Sequence, residues 1–270
     1  MTRPCVLTVA GSDCGGGAGV QADLKTFAAH GVYGLSVIAA LTAQNTRGVL
    51  GVLGVAPDFV GAQLDAVLGD FTLAAAKTGM LFCAGAVAET AKRFRNKTFP
   101  LVVDPVCVSG SGRALLEPAG LTALRDLLIP LADCLTPNLP EAEALTGLAV
   151  VGMEDMLRAG QRLLSMGVRA ALLKGGHADA GPDATTVTDI LFTPGTEPLL
   201  LSVPRVRTKN THGTGCALSA AIAAGLAKGL DLISAVTAAQ RYLNACLRTA
   251  WDVGHGQGPP DHLAGLSGFR

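Results

Sequence analysis

Residues 209–229 read KNTHGTGCALSAAIAAGLAKG, and this stretch decides the fold. The small residues that follow the glycines predict a helix over Gly215–Lys228. Gly213 and Gly215 leave backbone N–H groups uncovered at the partially positive start of that helix, which suits a phosphate or an anionic transition state. Cys216 falls in the first helical turn, where we expect the helix end to lower the pKa of the thiol. A buried cysteine packed under a loop is the alternative.

Outside this stretch, short apolar segments alternate with helical patterns, which is typical of βαβ units and predicts an α/β fold. The predicted strands are Cys5–Ala10, Leu35–Ala40, Leu101–Asp104, Cys134–Thr136 and Arg169–Leu173. The predicted helices, besides Gly215–Lys228, are Val20–His30, Pro57–Gly69, Cys83–Phe94, Gly120–Ile129, Leu139–Thr146, Met153–Met166 and Leu232–Ala250. The stretch His177–Thr188 is rich in Gly, Pro and Asp and predicts an exposed excursion. No repeat or boundary interrupts the pattern, so we expect one domain over residues 1–270.

Composition and charge exclude several classes of function. The chain has 21 Lys and Arg against 21 Asp and Glu, so its formal net charge is zero and gives no electrostatic basis for nucleic-acid binding. Hydrophobic residues make up 49 % of the chain and charged residues 16 %, which is typical of a globular protein. No apolar stretch is long enough to cross a membrane or complete a signal peptide, which predicts a cytoplasmic protein. Seven scattered cysteines without a CxxC pair predict neither a disulfide framework nor a zinc site.

A second glycine cluster, Gly11–Gly19, lies between a predicted strand and a predicted helix, where small residues let backbone N–H groups approach a ligand. Its segment Gly17–Ala22 matches the GxGxxA pattern of dinucleotide-binding oxidoreductases. However, Leu24–Pro57 contains no acidic residue to hold a ribose, which weakens that interpretation. The chain also lacks the GxxxxGK[ST] pattern of a P-loop. A tight turn without a ligand is the alternative for this cluster.

Charged residues follow three of the apolar segments. Asp104 ends LVVD, and the carboxyl ends of parallel strands face the ligand crevice. Asn138 and Glu141 are three residues apart at a predicted helix start, which predicts a capping box. Lys174 follows the strand-like RAALL, and a solvated surface lysine is the alternative there.

Seven segments together resemble the ribokinase-type superfamily and, within it, the hydroxymethylpyrimidine and phosphomethylpyrimidine kinases of thiamin synthesis. They are AGSDCGGGAGVQADLKTF, TAQNT, KTGML, VVDPV, TPNLPEAEAL, LKGGH and TKNTHGTGCALSAAIAAGLAKG, in the order and approximate spacing of that family. The resemblance implies a single α/β domain with a central, mostly parallel sheet flanked by helices. It also implies a kinase that uses ATP and Mg²⁺ without a P-loop.

The resemblance also assigns roles to individual residues. It implies an anion hole and a catalytic base formed by Gly213, Gly215 and Cys216, and magnesium held by Asp104 and Glu141. It places the nucleotide beside Lys174, Thr208, Asn210, Gly213 and Thr214. It places the pyrimidine against Gly11, Ala18, Asp23, Gln44, Met80 and Val106. The amide of Gln44 carries both an acceptor and a donor, which fits an aminopyrimidine edge.

Cys216 stands where sugar kinases and typical pyridoxal kinases have aspartate, and this favours a pyrimidine substrate. The implied reaction is ATP-dependent phosphorylation of 4-amino-5-hydroxymethyl-2-methylpyrimidine and then of its monophosphate. A pyridoxal or pyridoxine kinase is the alternative within the fold, and a non-catalytic binding protein would need a disrupted anion hole. The chain departs from the family pattern at Gly110, in the predicted lid, and at Pro260 and Asp261. The resemblance implies a homodimer and leaves the use of a monovalent cation open.

Overall fold

The structure is a computed structural model and describes residues 3–108, 114–177 and 184–264. In this part of the chain, nine strands form one sheet. They are β1 (Cys5–Asp13), β2 (Tyr33–Asn45), β3 (Gly48–Gly54), β4 (Leu73–Thr78), β5 (Leu101–Val103), β6 (Cys134–Leu135), β7 (Ala171–Leu173), β8 (Thr186–Phe192) and β9 (Leu199–Pro204). Their order across the sheet is β3-β2-β1-β4-β5-β6-β7-β8-β9.

The centre of the sheet is parallel and its two edges are antiparallel. The strands β2, β1, β4, β5, β6 and β7 run in one direction. The strand β3 at one edge and the strands β8 and β9 at the other pair antiparallel with their neighbours. The strands β5, β6 and β7 are short apolar runs buried along their whole length, as expected for a parallel sheet covered on both faces. The predicted α/β fold is confirmed.

Eight α-helices lie in the described residues. They are α1 (Gly19–Ala29), α2 (Pro57–Asp70), α3 (Ala84–Phe94), α4 (Pro118–Ala123), α5 (Leu139–Thr146), α6 (Met153–Leu164), α7 (Thr214–Ala227) and α8 (Leu232–Arg248). The predicted helix over Gly120–Ile129 is wrong in its extent: α4 ends at Ala123 and is followed by a π-helical turn and a 3₁₀ turn. Pro130 lies in the 3₁₀ turn and has no N–H to donate, so a regular helix cannot continue there.

The helices cover both faces of the sheet. Successive strand residues point to opposite faces, so Leu7 packs in one apolar core and Val6 in another. The first core also contains residues of α2, α3, α5 and α6, and the second contains residues of α1, α7 and α8. All residues from Ala217 to Gly225 of α7 are buried, because this helix of small side chains lies between the sheet, α1 and α8.

The sequence patterns do not predict β3, β4, β8 or β9. The strand β3 reads GVLGVLG and β4 reads LAAAKT, and neither shows the β-branched enrichment of a strand. The predicted excursion His177–Thr188 is partly wrong, because β8 begins at Thr186, while residues 178–183 lie outside the described part of the chain. All seven cysteines are free thiols. No helix among the described residues has the length and apolarity that a membrane span requires.

Candidate active site

The two glycine clusters meet at the carboxyl edge of the sheet. The first lies between β1 and α1, and the second precedes α7. Gly213 adopts the left-handed region, with φ +83°, and a Cβ there would lie 1.9 Å from the carbonyl oxygen of Gly17. Only glycine fits this contact, so the close approach of the two loops depends on it.

The carboxylate of Asp13, at the end of β1, holds the first loop together. It accepts the backbone N–H groups of Gly15 at 2.8 Å, Gly17 at 3.0 Å and Ala18 at 2.9 Å. The Nε2 atom of His212, from the second loop, lies 2.9 Å from Asp13 Oδ2. Burial raises the pKa of Asp13, but the His212 contact and the backbone N–H groups outweigh burial and bring the pKa below its usual value. Sequence reasoning did not assign Asp13 a role, although an aspartate before a glycine run is a known turn signal.

The start of α7 offers free backbone donors. No side chain caps this helix end. Among the described residues, the N–H groups of Gly215 and Cys216 have no acceptor, whereas the N–H of Thr214 reaches the oxygen of Thr211 at 3.3 Å. Such a helix start binds anions. A Cβ at Gly215 would lie 3.3 Å from Lys174 Nζ, so the start of α7 lies against a charged group.

That charged group consists of Lys174 and two carboxylates. Lys174 Nζ lies 3.1 Å from Asp104 Oδ1 and 3.8 Å from Glu141 Oε2. Asp104 also accepts the hydroxyl of Thr136 at 3.2 Å and that of Ser219 at 3.2 Å. The side chain of Lys174 is only 13 % exposed, so its alternative interpretation as a solvated surface lysine is wrong.

Glu141 has a structural and an electrostatic role. The predicted capping box is confirmed, because the Asn138 side chain accepts the Glu141 N–H and Glu141 accepts the Asn138 N–H, both at 2.8 Å. Burial raises the pKa of Glu141 to about 7, with Lys174 lowering it and Asp104 raising it. Burial also raises the pKa of Asp104, but the charge of Lys174 and that of Lys77 outweigh burial, and the pKa is lowered.

Asp189 supports the turn that follows Lys174. Its two carboxylate oxygens accept the Gly175 N–H at 2.8 Å and the Gln240 side-chain amide at 2.7 Å. A Cβ at Gly175 would lie 1.8 Å from the carbonyl oxygen of Thr188, so the turn needs glycine. Sequence reasoning missed Asp189, which lies in a strand that it also missed.

The predicted lowering of the Cys216 pKa is wrong. Burial raises the pKa of this thiol to about 11, and the charges of Asp23 and Asp104 add to the rise. The ammonium of Lys77 and the N–H of Gly19 act in the opposite direction and do not offset burial. Cys216 is therefore a neutral thiol at neutral pH.

Asp23, which the resemblance places against the pyrimidine, forms a buried ion pair with Lys77. Its side chain is completely buried, and its oxygens bind Lys77 Nζ at 2.9 Å each and the Thr8 hydroxyl at 2.7 Å. All of these contacts lie inside the protein, and the contact of Asp23 with the pyrimidine stays a prediction. Lys77 lies in the KTGML segment, and the sequence patterns do not predict its role.

The other predicted pyrimidine contacts lie around the two loops. Met80 and Val106 belong to a small apolar cluster, and a Cβ at Gly11 would lie 3.1 Å from Met80 Sδ. Ala18 is next to the contact between the loops. The side-chain amide of Gln44 lies 3.2 Å from the Thr42 hydroxyl on one side and 3.0 Å from His212 Nε2 on the other.

The predicted nucleotide residue Asn210 faces the C-terminal segment. Its backbone N–H donates to Thr208 Oγ1 at 3.1 Å and its side-chain amide to Asp252 at 3.3 Å. Its buried Oδ1 has no partner, and a Cβ at Gly258 would lie 2.3 Å from this oxygen. The unusual Pro260 and Asp261 are buried, and the unusual Gly110 lies outside the described residues.

Ribokinase-like kinases combine a mostly parallel sheet with an anion-binding helix start at its carboxyl edge, and they lack a P-loop. The protein has these features and is a member of this class. The family model of phosphomethylpyrimidine kinase matches residues 13–261. The chain belongs to the phosphomethylpyrimidine kinase family.

Individual relatives agree with this assignment. Over 260 residues the chain is 50 % identical to the hydroxymethylpyrimidine/phosphomethylpyrimidine kinase of Rhizobium meliloti, covering 95 % of this chain and 96 % of that protein. It is 49 % identical over 269 residues to the thiamine biosynthesis bifunctional protein ThiED of Geobacter sulfurreducens, covering 99 % of this chain and 54 % of that longer protein. The ADP complex of Bacillus subtilis pyridoxal kinase has a TM-score of 0.88 at 32 % identity, covering 97 % of this chain and 98 % of that one. The predicted family and kinase class are confirmed.

Proposed function

We propose that the protein transfers the γ-phosphoryl group of ATP to 4-amino-5-hydroxymethyl-2-methylpyrimidine and then to its monophosphate, in thiamin diphosphate biosynthesis. The observation that carries the proposal is the contact between the two glycine loops, with Gly213 against Gly17. It brings the loop predicted to hold the pyrimidine next to the free N–H groups of Gly215 and Cys216. The name of the Rhizobium meliloti relative supports the same reaction.

Asp104 and Glu141 fit a magnesium ion that arrives with ATP. Mg²⁺ prefers oxygen ligands and binds through one or two carboxylates together with phosphate oxygens and water. Among the described residues, no group of three or more His, Cys, Asp or Glu side chains could hold a metal ion. We assign the ion to these two carboxylates and the phosphates because Mg²⁺ prefers such oxygen ligands, and there it would neutralise charge on the transferred group.

The protein's own residues position the reacting groups. The N–H groups of Gly215 and Cys216 receive charge that develops on the phosphoryl oxygens. Lys174 supplies a positive charge beside them, held by Asp104 at 3.1 Å. The neutral Cys216 thiol is compatible with a loose transition state, in which positioning and electrostatic stabilisation dominate.

An assay of ADP release over a panel of alcohols tests this proposal. The panel contains the hydroxymethylpyrimidine, its monophosphate, pyridoxal and pyridoxine, each with and without excess EDTA. We expect the highest kcat/KM with the two pyrimidines and no turnover in EDTA. A higher kcat/KM for pyridoxal would replace the proposal with a pyridoxal kinase, and full turnover in EDTA would remove the metal assignment.

Gln44→Ala tests the substrate side of the site. The variant should raise the KM for the pyrimidine by about 5- to 100-fold, since a lost hydrogen-bond pair costs about 1–3 kcal/mol, and should leave the KM for ATP nearly unchanged. The neighbouring exposed Asn45→Ala is the matched control and should change neither constant. Equal increases in both KM values for Gln44→Ala would indicate a purely structural residue.

A homodimer is also part of the proposal, and an exposed apolar edge supports it. Leu41 of β2 pairs with Leu53 of the edge strand β3, and both side chains face solvent. Leu50 of the same edge strand is 75 % exposed. Exposed apolar patches of this kind mark protein interfaces. Sedimentation should give a dimer for the wild type and a monomer for Leu50→Glu, and a monomeric wild type would refute the dimer.

A further inference from the structure

A hydrogen bond between Asp13 and His212 connects the two glycine loops. Asp13 binds the backbone of the first loop through three N–H groups, and His212 lies in the second loop three residues before Gly215. The carboxylate of Asp13 is 3 % exposed, and the ring of His212 is 20 % exposed. The interaction is thus largely shielded from water and strengthened by the low local dielectric.

The ring of His212 is held in one orientation. A Cβ at Gly17 would lie 2.6 Å from His212 Cδ2, so the ring packs directly on the backbone of the first loop. The backbone N–H of His212 donates to the oxygen of Gly258 at 3.0 Å. The next residue is Gly213, whose φ of +83° turns the chain into α7. Ring and backbone of His212 are therefore fixed on three sides.

The contacts of His212 also determine the orientation of an amide. Its Nε2 atom lies 2.9 Å from Asp13 Oδ2 and 3.0 Å from Gln44 Nε2. A carboxylate only accepts hydrogen bonds, so Nε2 of the ring carries the hydrogen. A ring N–H cannot accept from the Gln44 amide, so the amide is turned to present Oε1 to His212 and Nε2 to the Thr42 hydroxyl, an assignment that rests on the hydrogen-bond network. One N–H of Gln44 then stays free for a ligand.

We propose that Asp13 and His212 are positioning residues for phosphoryl transfer: they hold the substrate loop against the phosphate-binding helix start and orient the Gln44 amide. The proposal rests on the proposed function, because the pair can affect the rate only if the two loops bind the substrate hydroxyl and the phosphate that react with each other. Phosphoryl transfer depends mainly on positioning, and a displacement of about 1 Å costs about 100-fold in rate.

Four variants test the pair, with kcat and both KM values measured for each. Asp13→Asn and His212→Leu should each lower kcat about 10- to 100-fold. The KM for ATP should change less than threefold, because the N–H groups of Gly215 and Cys216 remain. His212→Gln retains a side-chain N–H of similar reach and should recover most of the rate. His255→Leu changes an exposed histidine outside the pair and is the matched control.

The double variant Asp13→Asn/His212→Leu shows whether the two residues act together. Its kcat should be close to that of the less active single variant, because each substitution removes the same contact between the two loops. Single effects that multiply would overturn the proposal. A lower melting temperature with unchanged kcat in His212→Leu would also overturn it, since that outcome indicates only a structural role.

Histidine NMR separates this proposal from the proposed function. In wild-type protein labelled with ¹⁵N-histidine, His212 should carry its hydrogen on Nε2, and the signal should shift in Asp13→Asn and disappear in His212→Leu. A wild type that phosphorylates no alcohol of the panel would refute the proposed function and, with it, the role of the pair in transfer. The Nε2–H signal would then still report the connection between the loops, and a hydrogen on Nδ1 alone would overturn that connection.

Discussion

The Cys216 thiol lies at a helix start, yet burial and nearby charges determine its ionisation. Burial raises its pKa to about 11, Asp23 and Asp104 add to the rise, and Lys77 offsets only part of it. A thiolate is the reactive form of cysteine, so position at a helix N-terminus does not by itself give a reactive residue. Because of this raised pKa, we expect Cys216 to be a neutral thiol beside the substrate hydroxyl and not a proton acceptor.

Alkylation rates test this assignment. At pH 7.5 only about one Cys216 thiol in 3,000 is ionised if its pKa is about 11, so iodoacetamide should modify it more slowly than the exposed Cys14. The rate at Cys216 should rise about tenfold per pH unit until the pH approaches that pKa. Peptide mass spectrometry gives both rates, and Cys14→Ser removes the competing site. Faster modification of Cys216 than of Cys14 at pH 7.5 would contradict the neutral thiol and show that Cys216 is a thiolate.

The turn into α7 depends on a glycine for two separate reasons, and the chain offers a control that separates them. Gly213 and Gly229 both have φ +83°, but a Cβ at Gly213 would meet the Gly17 oxygen at 1.9 Å, whereas a Cβ at Gly229 has nothing within 4 Å. Gly229→Ala therefore tests the cost of the left-handed conformation alone, which is about 1–2 kcal/mol.

Gly213→Ala should destroy turnover, because the two loops must separate to admit the methyl group. Gly229→Ala should keep near-normal kcat and lose only about 1–2 kcal/mol of unfolding free energy. Steady-state kinetics and urea denaturation measure both quantities. Similar kcat values for the two variants would show that the loop contact has no catalytic consequence.

The ion pair between Lys77 of β4 and Asp23 of α1 joins a central strand to a helix that covers it. Both side chains are completely buried. Lys77→Met leaves an unpaired buried carboxylate and should lower the unfolding free energy by about 3–5 kcal/mol. The double variant Asp23→Leu/Lys77→Met should recover most of this loss, since no buried charge remains.

An exposed ion pair provides the control for Lys77→Met. Arg169 pairs with Asp133 at 2.9 Å, but the Arg169 side chain is 80 % exposed. Arg169→Met should therefore cost less than about 1 kcal/mol in the same urea denaturation. If Lys77→Met costs no more than Arg169→Met, the buried pair does not support the fold.

Two histidines, the half-buried His30 and the buried His262, link the stability of the whole molecule to pH. Burial lowers the pKa of His30 to about 4, and the Lys228 charge adds to the effect. Burial lowers the pKa of His262 to about 4 as well; the charges of Lys25 and His212 lower it further, and Asp261 opposes them. The Nε2 atoms of both rings are buried without a partner.

The sign of this effect follows from proton binding. In the unfolded chain both histidines titrate near pH 6.5, so below that pH the unfolded state binds more protons than the folded state. Unfolding free energy should therefore fall as the pH drops from 6.5 to 4, by at most about 3 kcal/mol for each histidine. Urea denaturation at several pH values measures the slope. The double variant His30→Gln/His262→Gln should flatten it, while exposed His255→Gln should not; an unchanged slope in the double variant would contradict the assignment.

Features that depend on neighbours in the chain were predicted well. The capping box of Asn138 and Glu141 spans three residues and forms as expected. Every predicted helix corresponds to a helix of the structure, because its apolar spacing is a local property. The strands β3, β4, β8 and β9 escaped prediction, since Gly, Lys, Asp or Ser interrupts the apolar run in each of them, unlike in β5, β6 and β7.

The sequence by itself determined the α/β class and the position of the phosphate-binding helix start, because both depend on residue types at short spacings, and it determined the family through seven segments in a set order. Tertiary structure alone decided which polar side chains meet. Asp13 and His212 are 199 residues apart, and Lys77 and Asp23 are 54 apart. It also decided the ionisation of Cys216, since burial and the charges around the thiol exist only after the sheet and α7 have come together.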